Sequence, residues 1–194
     1  MAVVKRYATY EDLEEVPDTK VAELIEGDLV VSPRPASPHA RSATVLGSDL
    51  VGGFDGPRGG VGKPGGWWFL VEPELHLGSN VLVPDWAAWR RDRMPVLPNT
   101  AAFTQAPDWV CEVVSPSTVA VDRGRKMTIY AREGVTHLWI VDPILRTLEV
   151  YRLEGERWIV AGAYGGSDPV VAEPFEAVTL DPTRWWLEPA PDQR

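Results

Sequence analysis

The chain predicts an α/β fold built on a mixed β-sheet with helices against it and additional hairpins. Three observations carry that reading. Between Val110 and Val141 the sequence runs strand, helix, strand: "VCEVV", then "STVAVDRGRKMTIYAREG", then "LWIV". Such a unit joins two parallel strands of one sheet with a right-handed crossover. Before and after it lie apolar segments joined by short turns that carry glycine, the mark of antiparallel hairpins. The length, 194 residues, suits one domain over 1–194 with a proper core.

The elements follow in order. Thr9, with Asp12 and Glu15 behind it, opens a short helix that Pro17 closes. "VAELIEGDLVVSP" reads as two strands around a tight turn at Glu26-Gly27. Ser37-Pro38 reads as a cap followed by proline at the first helical position. Ala43, Leu46, Leu50 and Val51 then recur at helical spacing. "GGFDGPRGGVGKPGG" is a loop. It fails as a phosphate loop, because Pro57 and Pro64 stand where glycine and a hydroxyl residue are required.

"WWFLVEPELHL" and "NVLVPDWAAWR" read as strands, the second broken by Pro84. Met94 to Pro107 reads as loop, and "DWVCEVV" as a strand. Gly134 sits where a helix from the Ser117 region would end. "THLWIVDP" is the next strand, and "TLEVYRL" with "RWIVAGAY" forms a hairpin around Glu154-Gly155. The tail after Ala163 is loop-like, with Trp185 and Trp186 packed back on the body.

The net charge of −9 argues against broad, sequence-blind attraction to nucleic acid, which relies on basic surface. It leaves room for a nuclease, whose acidic site a cation offsets locally. The clusters Arg90, Arg91, Arg93 and Arg123, Arg125, Lys126 read first as solvated surface. Cys111 is the single cysteine, so no internal disulfide forms. No apolar run approaches the ~20 residues of a membrane helix. The first residues lack the shape of a signal peptide, and the expected location is the cytoplasm.

Glu112 raises the chemical question. It stands in an apolar strand, on one face with Val110 and Val114. A buried charge is costly unless it is paired or holds a metal. Asp85 closes another apolar run, "VLVPD". If the two strands are neighbours, two carboxylates meet at one sheet edge. Magnesium suits such a pair, since it takes carboxylates, waters and substrate phosphate as ligands. Lys126 lies on the segment leaving the Glu112 strand and is the candidate cation over the pair. Each residue also has a plain structural account. Asp85 serves as a turn residue, Glu112 pairs with an arginine, and Lys126 pairs on the helix surface with Asp122, four residues earlier.

The ordered motifs "ELIEGDLVVSP" with His39 after it, "VPD" at 83–85, "VCEVVSPST" at 110–118 and "DRGRKMTIYAREGVTHLWIVDP" at 122–143 resemble the Uma-type restriction-endonuclease family of bacteria. That family is of unassigned function within the PD-(D/E)XK nuclease superfamily, and the resemblance spans roughly Thr9 to Leu180. It implies a restriction-endonuclease-like fold and hydrolysis of phosphodiester bonds in nucleic acid, DNA before RNA. It also implies magnesium as cofactor, with manganese as substitute. Asp85, Glu112 and Lys126 become the catalytic set. Asp85, Glu112, the Val113 carbonyl and Glu23 become the metal ligands. His39, Glu74 and Asp122 are candidates for substrate contact or support, and Glu72 is a weaker one. The superfamily lysine two residues after the glutamate is absent, since Val114 stands there; the Uma-type pattern moves it to Lys126.

Other chemistries fit less well. Ser115 lacks the glycines of a nucleophile elbow. The three histidines show no zinc spacing. A glycosidase would use two acids but has no need of Lys126. The competing reading from another class is a catalytically silent module that binds nucleic acid or protein on the same scaffold. Nine tryptophans, several outside the central strands, suggest an interface and a homodimer.

Overall fold

A computed structural model describes residues 7–58 and 62–188. The middle of the glycine-rich loop, 59–61, lies outside them, as do both ends of the chain.

Helix α1, Tyr10–Glu14, opens with a capping box: Asp12 N–H donates to the Thr9 hydroxyl, and Thr9 N–H donates to the Asp12 carboxylate. Strands β1 (Lys20–Ile25) and β2 (Asp28–Pro33) form the expected hairpin. Its turn residues Glu26 and Gly27 have φ of 52° and 81°, as a two-residue type I′ turn requires.

Helix α2, Ser37–Phe54, departs from expectation at both ends. Ala36, not Ser37, is the cap, and no side chain bonds there. Pro38 explains this: its fixed φ and missing N–H suit the first turn without a hydroxyl cap. At the other end the helix runs on through Gly52 and Gly53, which the sequence assigned to loop. Burial of Phe54, only 2% exposed, offsets the poor propensity of the glycines.

The expected strand 67–77 is two strands, β3 (Trp67–Val71) and β4 (Glu74–Leu77), in different sheets. Glu72, at φ 45°, and Pro73 turn the chain between them. β5 (Asn80–Leu82) and β6 (Trp86–Arg90) flank the break at Pro84, as expected. A short strand, β7 (Ala102–Phe103), lies in the segment read as loop. β8 (Trp109–Val113) is followed by α3 (Val119–Val121), a π-helical turn (Asp122–Lys126) and α4 (Met127–Arg132). Gly134, at φ 80°, ends α4 in a Schellman motif: Val135 N–H donates to Tyr130 O and Gly134 N–H to Ala131 O. β9 (His137–Asp142) and the hairpin β10 (Thr147–Glu154) and β11 (Arg157–Gly165) complete the strands.

One sheet has the order β2-β1-β5-β4-β7, the other β11-β10-β9-β8-β6-β3. The crossover joins β8 to β9 in parallel, while β6 pairs with β8 antiparallel. Both sheets are mixed. β8 is buried on both faces. Trp109, Cys111 and Val113 pack in one cluster with α2 and the tail. Val110 and Val114 pack in the other with α4 and the smaller sheet.

The tryptophans correct one expectation and meet another. Trp67, Trp185 and Trp186 are buried, and Trp68 is half-buried with its indole N–H on Met94 O. Trp185 and Trp186 thus pack back on the body as expected, and these rings belong to the core more than to the surface. The arginine clusters are also committed internally. Arg91 lies over the Trp68 ring and pairs with Asp55, and Arg93 pairs with Asp108. Arg123 pairs with Glu149, and Arg125 with Glu26 and Asp28. No helix among the described residues is long and apolar enough to cross a membrane.

Candidate active site

The site lies where the two sheets meet. β5 belongs to the smaller sheet and β6 to the larger, and Asp85 sits in the link between them. Trp86 pairs with Cys111, so the same antiparallel register sets Asp85 beside Glu112. The pairing is locked by a hydrogen bond, Val113 N–H to Asp85 Oδ2 at 2.7 Å. The other Asp85 oxygen accepts from His39 Nε2 of α2 at 3.1 Å.

Glu112 faces α4 and the smaller sheet, and its Oε1 takes two donors. Lys126 Nζ lies at 2.8 Å and the Tyr130 hydroxyl at 2.7 Å. Lys126 also reaches Glu23 Oε1 of β1 at 3.0 Å and Asp122 Oδ1 at 3.5 Å. Glu23 Oε1 accepts the Val83 N–H at 2.8 Å as well. One ammonium thus ties together β1, β8 and the π-helical turn. That turn matters locally. Met127 N–H donates to Asp122 O, an i to i−5 bond, and both Asp122 and Lys126 face inward. Such π-turns recur at functional sites.

The ionic balance follows from burial. Glu112 and Lys126 are 3% and 2% exposed. Burial pushes Glu112 well above the usual carboxylate range; Lys126 pulls it back, and Asp122, Asp85 and Glu23 push it up further. Burial alone would lower Lys126, but Glu112, Glu23, Tyr130 and Asp122 hold it well above its ordinary value, so it stays charged. Asp122 is raised by burial against the pull of Lys126. Burial also lowers His39, but the Asp85 hydrogen bond and charge outweigh it, leaving His39 raised.

A pocket of about 280 Å³ opens onto these groups. Asp85, Glu112, Lys126, Glu23, His39 and Asp122 all line it, with Val113 and Glu72. The sequence therefore placed its candidates together, with three corrections. Glu74 is not brought here: its carboxylate accepts from the Tyr10 hydroxyl at 2.8 Å and meets His76 at 2.7 Å. Asp122 is no helix-surface partner, being 4% exposed. Its pairing with Lys126 is real but is the longest of three. Glu112 pairs with Lys126 rather than with an arginine. Tyr130 was missed. Its signal is its spacing, four residues after Lys126 and so on the same helical face.

Among the described residues, no group of three or more His, Cys, Asp or Glu forms a ready-made metal cage. The donor chemistry nonetheless fits a hard divalent cation. The pocket offers carboxylate oxygens in excess of its cations, and the neighbouring acids push Glu112 further up. Among the described residues, the two hydrogen bonds to Glu112 both fall on Oε1, leaving Oε2 for the pocket it lines.

The model of the Uma2 family, described as "Putative restriction endonuclease", matches residues 7–183. The chain belongs to the Uma2 family. A solved structure described as "a putative nuclease belonging to DUF820", from Anabaena variabilis ATCC 29413, is similar over 92% of this chain and 97% of that one. Its TM-score is 0.74 at 22% identity, which shows a shared, restriction-endonuclease-like fold. Comparison with curated proteins gives no match.

Proposed function

We propose that this Uma2 chain is a metal-dependent endonuclease that hydrolyses phosphodiester bonds of nucleic acid, DNA before RNA, in the cytoplasm. One observation carries the reading: Asp85, Glu112 and Lys126, from separate elements, line one pocket at the sheet junction. Membership of the family supports it.

Asp85 and Glu112 would hold magnesium or manganese, with the Val113 carbonyl and Glu23 at its margin. The cation would supply positive charge to polarise the phosphoryl group. The chain's own residues do the rest. His39 and the Val113 N–H fix the Asp85 carboxylate through both its oxygens. Tyr130 fixes Glu112. Lys126 presents an ammonium kept charged by its acids, and stabilises the charge that grows on the phosphoryl oxygens as water attacks phosphorus and the leaving oxygen departs. To turn toward phosphate it gives up its weakest contact, the 3.5 Å approach to Asp122.

The second reading, a silent binding module, draws on one fact. The Lys126 ammonium lies between Glu23 and Glu112 and no preformed cage is present among the described residues. A manganese-supported nicking assay on supercoiled plasmid, run beside calorimetric metal titration, separates the two. Nicking by wild type that Glu112→Gln abolishes supports the nuclease. Absence of both nicking and metal heat in pure wild-type protein leaves the module. The assembly we propose is a C2 homodimer, the commonest form of oligomer; light scattering that finds only a 21.4 kDa species would remove it.

A further inference from the structure

A second cavity, of about 420 Å³, adjoins the first and shares Pro35, His39, Glu72 and Asp85 with it. Its size falls within the roughly 300–1,000 Å³ of small-molecule clefts. Its character is different. Beyond the shared mouth the walls are a face of α2, with Ala40, Ala43 and Gly47, and the aliphatic side chains of Val51 and Val71. Val51 and Val71 are 36% and 61% exposed, an unusual way to leave two valines flanking a cleft.

The Trp86 ring forms part of this wall, and its position is built rather than incidental. Trp86 opens β6 and follows Asp85 directly in the chain. Its indole N–H donates to Ala43 O at 2.9 Å. It packs on Gly47 so closely that a Cβ there would lie 2.0 Å from Cζ2. Only glycine at 47 lets the ring lie against the helix. At the shared mouth, His39 Nδ1 is buried and lacks a hydrogen-bond partner among the described residues. Thr44 and Ser48, one turn apart on α2, add hydroxyls to the lining.

We infer that this cleft takes the nucleobase next to the scissile phosphate, unstacked from its strand, and that the substrate is therefore single-stranded or locally unpaired nucleic acid. The inference rests on the nuclease reading above. A phosphate held at Asp85 carries a base on the adjoining sugar, within reach of a cleft that begins at Asp85. The cleft is too apolar for a second phosphate. It suits a flat group with an apolar face and polar edges, laid on an indole and met by Thr44, Ser48 and His39. Stacking on an aromatic ring gains affinity for any base, and a base in a paired duplex is not available for it.

The test is an abasic walk. A single-stranded oligonucleotide is made in versions that each lack one base, and kcat/KM is measured with manganese for wild type and Ala40→Trp, which fills the cleft from an exposed position. For wild type, one position beside the cut should lose about 10-fold or more, with the others near unity. For Ala40→Trp, intact and abasic strands should be cut alike. Wild type that cuts every version equally overturns the base cleft and leaves the nuclease reading standing, the cleft then belonging to some other occupant. The wild-type walk decides the matter even if Ala40→Trp fails to fold. Wild type that nicks supercoiled plasmid but neither cuts nor binds any of the strands overturns this inference alone; wild type that acts on neither plasmid nor strands overturns both.

Discussion

Strand β8 carries a buried acid at each end. Asp108 immediately precedes it and Glu112 is its fourth residue; both are 3% exposed. They are held in opposite ways. Asp108 Oδ2 accepts the Arg90 N–H at 2.8 Å and Oδ1 accepts from Arg93 Nη1 at 2.8 Å. Its backbone carbonyl accepts from Thr136 and from His137 N–H. Each carboxylate oxygen has a partner, and neither of the two mapped pockets above includes it. Among the described residues, Glu112 takes no backbone donor. It leans on a lysine and a tyrosine, among three other acids, and faces a cavity. Burial alone therefore does not mark function. What separates the two is whether the protein itself satisfies the charge. Asp108 stitches β6 to β8, while Glu112 keeps an oxygen in reserve at a cost in stability.

The comparison breaks most sharply on activity. Glu112→Gln should abolish metal heat and nicking together, while Asp108→Asn should keep both. Lys126→Ala should still bind manganese but cleave ~10²–10³-fold more slowly, the scale for loss of one electrostatic donor. It should also melt lower, because it strands Glu23, Glu112 and Asp122 without their shared cation. Should Asp108→Asn lose cleavage while still folded, the division between the two ends of β8 is wrong.

Stability should invert the order. Asp108→Asn removes charge-assisted bonds to a buried backbone N–H and an arginine, at a cost of about 1.5–3 kcal/mol. For a chain of this length each kcal/mol is worth roughly 2–4 °C in Tm. Glu112→Gln keeps the shape, relieves the repulsion among the acids and leaves Lys126 its Glu23 partner at 3.0 Å, so its Tm should fall less than that of Asp108→Asn. Differential scanning calorimetry without metal reads both. A Glu112→Gln protein that melts well below Asp108→Asn would make Glu112 the structural residue.

Much of this was legible in the sequence. The alternation in "VCEVV" gave the face of Glu112, and the crossover and the "VPD" run gave its neighbours, because strand period and crossover geometry are local rules. Asp108 was not singled out. Its acid sits beside an apolar run just as Glu112 does, and only the fold brings Arg93 onto it. Glu74 misled because Glu72 and Pro73 turn the chain away and pass β4 to the other sheet. Asp122 looked like a surface partner because i, i+4 spacing does not say which face the helix buries, and a π-turn is not written in helical periodicity. The tryptophans looked available because strands and tail meet only in three dimensions, as where Trp67 packs on Phe175 and Trp185 joins the same core.

A smaller effect concerns pH. Burial holds Glu112 above its ordinary value of 4.5, so the native state keeps a proton that the unfolded chain has released. The native state then binds more protons, and stability falls as pH rises from that ordinary value toward the folded one. Asp122 adds a contribution of the same sign. Between about pH 5 and 6 the Glu112 share is at most about 1.4 kcal/mol. Melts of metal-free wild type across that range should slope downward, and Glu112→Gln should flatten the slope in part, with Asp122 supplying the remainder. Millimolar manganese should flatten it too, since a cation competes with the proton. A wild-type slope of the opposite sign would mean that Glu112 is better paired than its burial allows.

The smallest effect is expected on the outward face of the same π-turn. Arg123 donates two bonds to Glu149, at 2.7 and 2.8 Å, and the Tyr151 hydroxyl donates to it as well. The Arg123 hydrogen bonds hold the Glu149 carboxyl below its ordinary value, although partial burial opposes them. The sign is therefore the reverse of that at Glu112: stability is present above the ordinary carboxylate value and is lost as pH falls through the folded one. Because both side chains are about one-third exposed, solvent screens the pair, and Glu149→Gln should cost no more than about 1 kcal/mol. Added salt should shrink that cost, and should touch the Asp108 cost less, since Asp108 is itself buried and one of its oxygens is held by a backbone N–H. Cleavage should not change. The outward pair thus has the geometry of a strong ion pair and the energetics of a surface one. If Glu149→Gln slowed nicking as much as Lys126→Ala, the outward pair would be positioning the lysine through the π-turn, and inner and outer faces of that turn would have to be treated as one device.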